Sequence, residues 1–234
     1  GHSFPTRRSS DLGYNKMDTS SFDYKEDLEL MKDIDYTLVK GSKVFDFYQR
    51  VLDIILSSIG LIVGIPLIAI FGILIKLEDH GPITYKQERM GKGGKTFYIY
   101  KLRSMRTDAE KFGAQWATKN DPRITKVGNF IRKTRIDEIP QLFNILKGDM
   151  SIIGPRPERP SFTLEFNEEI PGFINRLSVK PGLTGWAQVN GGYDITPEEK
   201  LKADIYYIKN RSFSMDANIL LKTVKVVFTG EGAR

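Results

Sequence analysis

The chain of 234 residues carries 35 Lys and Arg against 29 Asp and Glu, two His and no Cys, with 40% hydrophobic and 11% aromatic residues. That is one domain with room for an appendage, and too apolar for wholesale disorder. No disulfide framework, thiolate metal site or Cys nucleophile is available, and two histidines exclude a multi-histidine zinc site and all but exclude a Ser-His triad. Chemistry falls to carboxylates, hydroxyls, lysines and arginines, with an oxygen-preferring metal as the compatible ion.

In chain order, residues 1–16 include FPTRRSSDL, which reads as a translated sequencing-adapter oligonucleotide, and are set aside as an artefact. Met17 is then a start, with truncation of a longer protein left open. Residues 17–43 are polar and acidic (Asp18, Asp23, Glu26, Asp27, Glu29) and read as a surface arm. Within residues 44–80 the text becomes apolar: 54–75 is 22 residues without a charge. As a helix this run is about 33 Å long, enough for a bilayer core of about 30 Å. A buried core helix is the competing reading, but such helices are usually shorter and amphipathic.

Pro66, in the middle of the run, removes a backbone donor and predicts a bend or break there. Both flanks are basic, Lys40, Lys43 and Arg50 before and Lys76, Lys86, Arg89 and Lys92 after. The positive-inside rule then favours the cytoplasm for both ends, which a re-entrant helix hairpin satisfies and a single span does not. From the residues, re-entrant and spanning anchors both stay open.

The catalytic region is predicted over residues 81–230. TFYIY at 96–100 alternates as a short strand, and Gly91, Gly93 and Gly94 before it read as a hairpin turn, since GKGGK lacks the Walker spacing. Residues 119–136 hold Lys119, Arg123, Lys126, Arg132, Lys133 and Arg135 against Asp121 alone, followed at once by Asp137 and Glu138. IDEIPQLFNILKG then spaces Ile139, Leu142, Phe143 and Leu146 as a helix stopped by Gly148, with Asp137 at its start and Pro140 in its first turn. Beside arginines and a helix start, Asp137 is expected to be ionised at neutral pH. Such a carboxylate is an N-cap, a metal ligand or a nucleophile.

GPRPE fixes a turn around Arg156, suited to gripping phosphate or simply rigid. Trp186 lies between turns at Pro181-Gly182 and Gly191-Gly192, as a core plug or an interface anchor. Two further helical patterns run through 197–228, packing on the domain or lying along a membrane.

The apolar run and the segments TYKQERMG, YIYKLRSM, FIRKTRIDEIPQLFNILKGDMSIIGPRPE, VKPGLTGWAQVNG and ADIYYIKN resemble, in this order, the bacterial sugar transferases. These are monotopic polyprenyl-phosphate phosphoglycosyl transferases that initiate exopolysaccharide, capsule and O-antigen assembly. The resemblance implies a helix-rich α/β fold: a small catalytic domain on the cytoplasmic face of the bacterial cytoplasmic membrane, anchored by a re-entrant hairpin broken at Pro66. It implies transfer of a sugar phosphate from a UDP-sugar to undecaprenyl phosphate. Asp137 matches the nucleophile that becomes a phosphosugar ester, and Glu138 its partner in the acid dyad. Mg²⁺ is implied at both carboxylates, and Lys101, Arg103, Arg132 and Arg156 match basic positions of the phosphate site. Inner-membrane lipid is the implied surroundings, no nucleic acid is a partner, and homo-oligomerisation stays open. Two positions depart from the family pattern: Ile65 replaces the usual Ser before the proline, and Arg135 replaces a small polar residue two before Asp137.

The physical logic is independent of the resemblance. Joining two anionic substrates requires neutralising charge, and a covalent intermediate lets one leave before the other arrives. A non-catalytic, membrane-tethered scaffold for anionic lipid is the alternative reading. A nucleic-acid binder using 119–135 is opposed by the uncharged run. The motifs define a reaction class and not the sugar.

Overall fold

The computed structural model describes residues 29–109, 111, 121–191 and 195–229, so the artefact segment and most of the acidic arm lie outside the described residues. Its elements are α1 (Lys43–Glu78), β1 (Thr84–Met90), β2 (Thr96–Leu102), α2 (Lys126–Lys133), α3 (Gln141–Lys147), β3 (Ser151–Ile153), α4 (Pro160–Glu169), β4 (Gly182–Thr184), α5 (Trp186–Gly191), α6 (Pro197–Asn210) and α7 (Phe213–Thr229). This is a helix-rich α/β fold with two small sheets. β1 and β2 form the expected hairpin, antiparallel with Thr84 opposite Leu102 and Met90 opposite Thr96. β3 and β4 pair in parallel, Ser151 with Gly182 and Ile153 with Thr184.

α1 begins where the Ser42 side chain accepts a hydrogen bond from the Phe45 N–H, and runs 36 residues with Pro66 inside it. The break expected at Pro66 is therefore not seen: the helix is continuous through it. Proline leaves the Ile62 carbonyl without its helical donor, a local cost that contacts on both sides of the proline offset.

Those contacts form an antiparallel seam, because residues 126–153 run the length of α1 in the opposite direction. The Glu78 carboxylate accepts from the Lys126 and Val127 N–H groups at 2.8 and 3.0 Å, closing the start of α2. Phe130 stacks on Phe71, centroids 5.5 Å apart. Further along, a Cβ at Gly64 would lie 2.5 Å from Ile139 Cγ2, and one at Gly60 2.8 Å from Leu142 Cδ1. Gly60 and Gly64 are one turn apart on an apolar helix, the small-residue spacing that lets two backbones approach closely. At the far end, Arg50 donates to the carbonyls of Ile145 and Leu146, at 2.7 and 2.6 Å, and Asp53 accepts from Ser151 Oγ and the Ile152 N–H.

The rest of α1 faces outward. Only 22% of its most apolar window is buried, and Phe47, Ile55, Ile62, Val63, Ile73 and Leu77 stand exposed. It is long and apolar enough to cross a membrane, and it is not the hidden centre of a soluble core.

The main core lies on the other side of the seam, where Ile145, Met150, Ile153, Tyr207, Ile208 and Ile219 pack together. A satellite cluster brings Met31 and Ile34 against Met90, Ile174 and Leu177. Residues 31–34 of the expected surface arm are thus packed rather than loose, because their two apolar side chains bury beside the hairpin turn. The two C-terminal helical patterns appear as α6 and α7, α6 capped by a reciprocal Thr196–Glu199 box. Trp186 starts α5, with Gly182 in β4 before it and Gly192 of the expected second turn outside the described residues; its ring meets Tyr206 at 5.4 Å and carries Lys222 Nζ at 5.2 Å.

Candidate active site

Asp137 and Glu138 do not begin the α3 helix. They occupy a separate 3-10 turn, Ile136–Glu138, entered through Arg135 in the left-handed region (φ 60°, ψ 13°), and Pro140 caps α3 after it. The helix ends, as expected, at Gly148 with φ 98°. Its buried face is Gln141, Leu142, Asn144 and Ile145, while Phe143 turns outward. Asn144 fastens α3 to β2, donating to the Tyr98 carbonyl at 2.7 Å and accepting from the Tyr100 N–H at 3.3 Å. That fastening places Lys101, the next residue of β2, over the acid pair.

Glu138 is the electrostatic centre of the site. Lys101 Nζ donates to its Oε1 at 2.8 Å, the Arg156 guanidinium donates to the same oxygen, and Arg135 approaches Oε2 at 3.9 Å. Burial alone would raise the Glu138 carboxyl, but Arg156 and Lys101 hold it well below the usual range. Burial pushes the Lys101 ammonium down, a shift Glu138 opposes.

Asp137 differs. It is 8% exposed and its carboxylate accepts no hydrogen bond from a described residue. Burial drives its pKa up to about 6, Glu138 adds to the shift, and Lys101, Arg132 and Arg156 work against it. Asp137 is still mostly ionised at neutral pH, by about one unit rather than comfortably, because the cations are spent on its neighbour.

Of the residues read from the sequence, Lys101, Arg132, Arg156, Asp137 and Glu138 come together. Arg103 does not join them. β2 ends at Leu102, and the Arg103 side chain turns to the end of α1, donating to the Pro82 and Asp79 carbonyls at 2.6 Å each and to the Asp79 carboxylate. It is 7% exposed and works as a clamp between helix and hairpin.

A second ionic cluster behind the site was not foreseen. Arg176 donates to Asp204 Oδ2 through Nε and a terminal nitrogen, at 2.8 and 2.6 Å, and to the carbonyl of Arg156 at 2.8 Å. Glu158 accepts from Lys200 at 2.8 Å and lies 3.9 Å from both Arg89 and Arg176. Arg89 also donates to the Pro157 carbonyl. Residues 156–158 are thus held from three elements, which aims Arg156 at Glu138. The quoted segments QERMG and ADIYYIKN contain Arg89 and Asp204, so the signal was on the page without a partner to read it against.

Among the described residues no cluster of three His, Cys, Asp or Glu side chains could hold a metal unaided. A buried carboxylate with no hydrogen bond from a described residue, a second one held ionised and convergent cations make a pocket suited to a polyanion.

Residues 44–230 match the bacterial sugar transferase family, and the chain belongs to it. It is 47% identical over 196 residues to the UDP-N-acetylgalactosamine-undecaprenyl-phosphate N-acetylgalactosaminephosphotransferase of Aeromonas hydrophila, covering 82% of this chain and 46% of that protein. To a UDP-glucose:undecaprenyl-phosphate glucose-1-phosphate transferase of Xanthomonas campestris pv. campestris it is 42% identical over 191 residues, covering 79% and 40%. To the protein of the same name in Caulobacter vibrioides it is 39% identical over 193 residues, covering 80% and 72%. The chain therefore spans less than half the length of the first two relatives.

Proposed function

We propose that this chain transfers a sugar phosphate from a UDP-sugar to undecaprenyl phosphate by two displacements at Asp137. The observation that carries this reading is the asymmetry of the dyad: two cations grip Glu138, while Asp137 beside it keeps a carboxylate with no hydrogen bond from a described residue. A group held that way is poised to attack.

In the first displacement an Asp137 oxygen bonds to the phosphorus that carries the sugar. The bond from that phosphorus to the bridging oxygen breaks, and UMP leaves with the electron pair. In the second, an oxygen of the lipid phosphate bonds to the same phosphorus and the aspartyl ester breaks, restoring the carboxylate. Lys101, Arg132 and Arg156 lower the cost of bringing negative charge to a negative nucleophile. Glu138 keeps Lys101 and Arg156 aimed. Because the donor's nucleotide departs first, the two anionic substrates never share the site.

Magnesium fits this arrangement when it comes with the donor. It is commonly held by one or two carboxylates plus substrate phosphates, and Asp137 offers unbonded oxygens beside Glu138. When bound, it would spread the charge of the diphosphate.

A shallow anchor with both ends on the cytoplasmic side, α1 staying helical through Pro66, suits the seam. Both halves of α1, before and after Pro66, pack on the same segment that carries the dyad, through Asp53, Gly64, Phe71 and Glu78. A helix crossing the bilayer would carry this polar segment into the hydrocarbon. A shallow one leaves the site at headgroup depth, where a polyprenyl phosphate presents its phosphate.

The test is mass spectrometry of purified protein mixed with a panel of UDP-sugars alone, followed by addition of undecaprenyl phosphate. A sugar-phosphate adduct on Asp137 that the acceptor discharges is expected. Binding to acidic vesicles with no nucleotide released from any donor would return the chain to a scaffold role.

A further inference from the structure

A cleft separate from the acid pair opens between the N-terminal half of α1, the β1–β2 turn, the β3–β4 pair and the end of α6. Its volume is about 180 Å³, below the roughly 300–1,000 Å³ of pockets that enclose a whole small molecule, so it suits one compact group. Asp53 on its wall and Gly64, whose notch takes Ile139 beside the acid pair, stand about 16 Å apart along α1.

Four cations line the cleft, Arg50, Lys92, Lys180 and Arg211, against two carboxylates, Asp46 and Asp53. Both carboxylates are engaged. Asp46 accepts from Arg211 at 2.8 Å, and Asp53 accepts from Ser151 Oγ and the Ile152 N–H at 2.9 and 2.7 Å. Arg50 gives its hydrogen bonds to the carbonyls of Ile145 and Leu146, which are neutral and leave its charge in place. Lys92 and Lys180 make no hydrogen bond or ion pair with a described residue. Asp149, whose charge also reaches Lys180, is paired with Lys147 at 3.0 Å. Burial pushes the Lys180 ammonium down, Arg50 and Lys92 add to the shift, and Asp53 opposes it. Like charges gathered partly out of water are costly until an anion joins them.

We propose that this cleft is a second anion site, in which Lys92, Lys180 and Arg50 hold a phosphate group apart from the phosphates of the reaction at Asp137. An ion there would join α1 to the hairpin turn and to the segment before β4, which no protein carboxylate does. The inference stands independently of the reaction proposed above. Dissolved phosphate and the headgroup of an anionic lipid share this chemistry, and α1 turns Val44, Phe47, Val51 and Ile55 outward along the same stretch, so the experiment separates the two sources.

The readout is the rate at which an amine-acetylating reagent labels each lysine of the full chain, resolved by peptide mass spectrometry. In non-ionic detergent, orthophosphate should slow the labelling of both Lys92 and Lys180 about tenfold, with half the effect near about 1 mM, the strength of about two charge-assisted contacts. Lys225, exposed on α7, should label at an unchanged rate. Lys180→Gln should abolish the protection of Lys92, and the measurements on the unsubstituted chain stand whether or not that variant folds. Protection in nanodiscs of phosphatidylglycerol without added phosphate supports the site with a headgroup as its source. Protection that requires orthophosphate there and in nanodiscs of phosphatidylcholine supports it with the dissolved ion. Unchanged labelling in every condition overturns the inference, as does protection reproduced by sodium chloride at equal ionic strength or kept at Lys92 in Lys180→Gln. None of these outcomes depends on an adduct at Asp137, so either reading can fail alone.

Discussion

Two buried ionic clusters lie side by side in this molecule and have opposite designs. Around Arg176 the carboxylates are matched: Asp204 takes a bidentate grip and Glu158 is shared by Lys200, Arg89 and Arg176. Around Glu138 the cations are matched to one carboxylate, and its neighbour Asp137 accepts no hydrogen bond from a described residue. The first cluster resists change and holds a loop in place. On the proposed reaction, the second keeps an attacking oxygen at the cost of desolvating it. Neutralised burial builds scaffold, and unneutralised burial builds reactivity.

If the contrast is sound, Asp137→Asn gives the largest effect. Turnover and adduct formation should drop by about 10⁴-fold or more, with no loss of thermal stability, since a carboxyl disfavoured by burial has been removed. An active Asp137→Asn would erase the distinction between the clusters. Next comes Arg176→Met, which leaves Asp204 buried and unpaired and should cost about 3–5 kcal/mol in denaturant unfolding. A small cost there would mean that the matched cluster is not scaffold. Glu138→Gln should lower turnover about 100-fold, a typical loss for one electrostatic partner, by freeing Lys101 and Arg156 to wander.

The pH profile gives a smaller signal. With Asp137 at about 6, single-turnover nucleotide release should rise about tenfold per unit up to about pH 6 and flatten above it. The same carboxyl binds a proton in the folded chain that the unfolded chain releases near 3.8, so its contribution to stability falls as pH rises from about 4 to about 6. Asp137→Asn should abolish that slope.

Local chemistry was legible in the sequence and long-range pairing was not. The β1–β2 turn, the Gly148 stop and helices α6 and α7 follow from residues within a few positions of one another. The acid pair and its cations were legible because they recur in contiguous motifs. Arg103 was assigned to the phosphate site by its match to a motif, and the motif does not show that β2 ends at Leu102 and the next side chain turns to Asp79. Pro66 was read as a bend or break from intrinsic propensity; the break is absent, and tertiary contacts at Gly64 and Phe71 hold the helix on either side of it. Arg176 and Asp204 are 28 positions apart, and no periodicity announces a partner at that range.

The paired glycines of α1 have a mechanical consequence. Since Ile139 and Leu142 seat directly in the notches at Gly64 and Gly60 respectively, the apolar helix and the turn that carries the acid pair are indexed to each other tooth by tooth. Sliding by one helical turn would move the chemistry about 5.4 Å along the helix. On the proposed shallow anchor, the depth of the acid pair is then a dimension machined into the backbone.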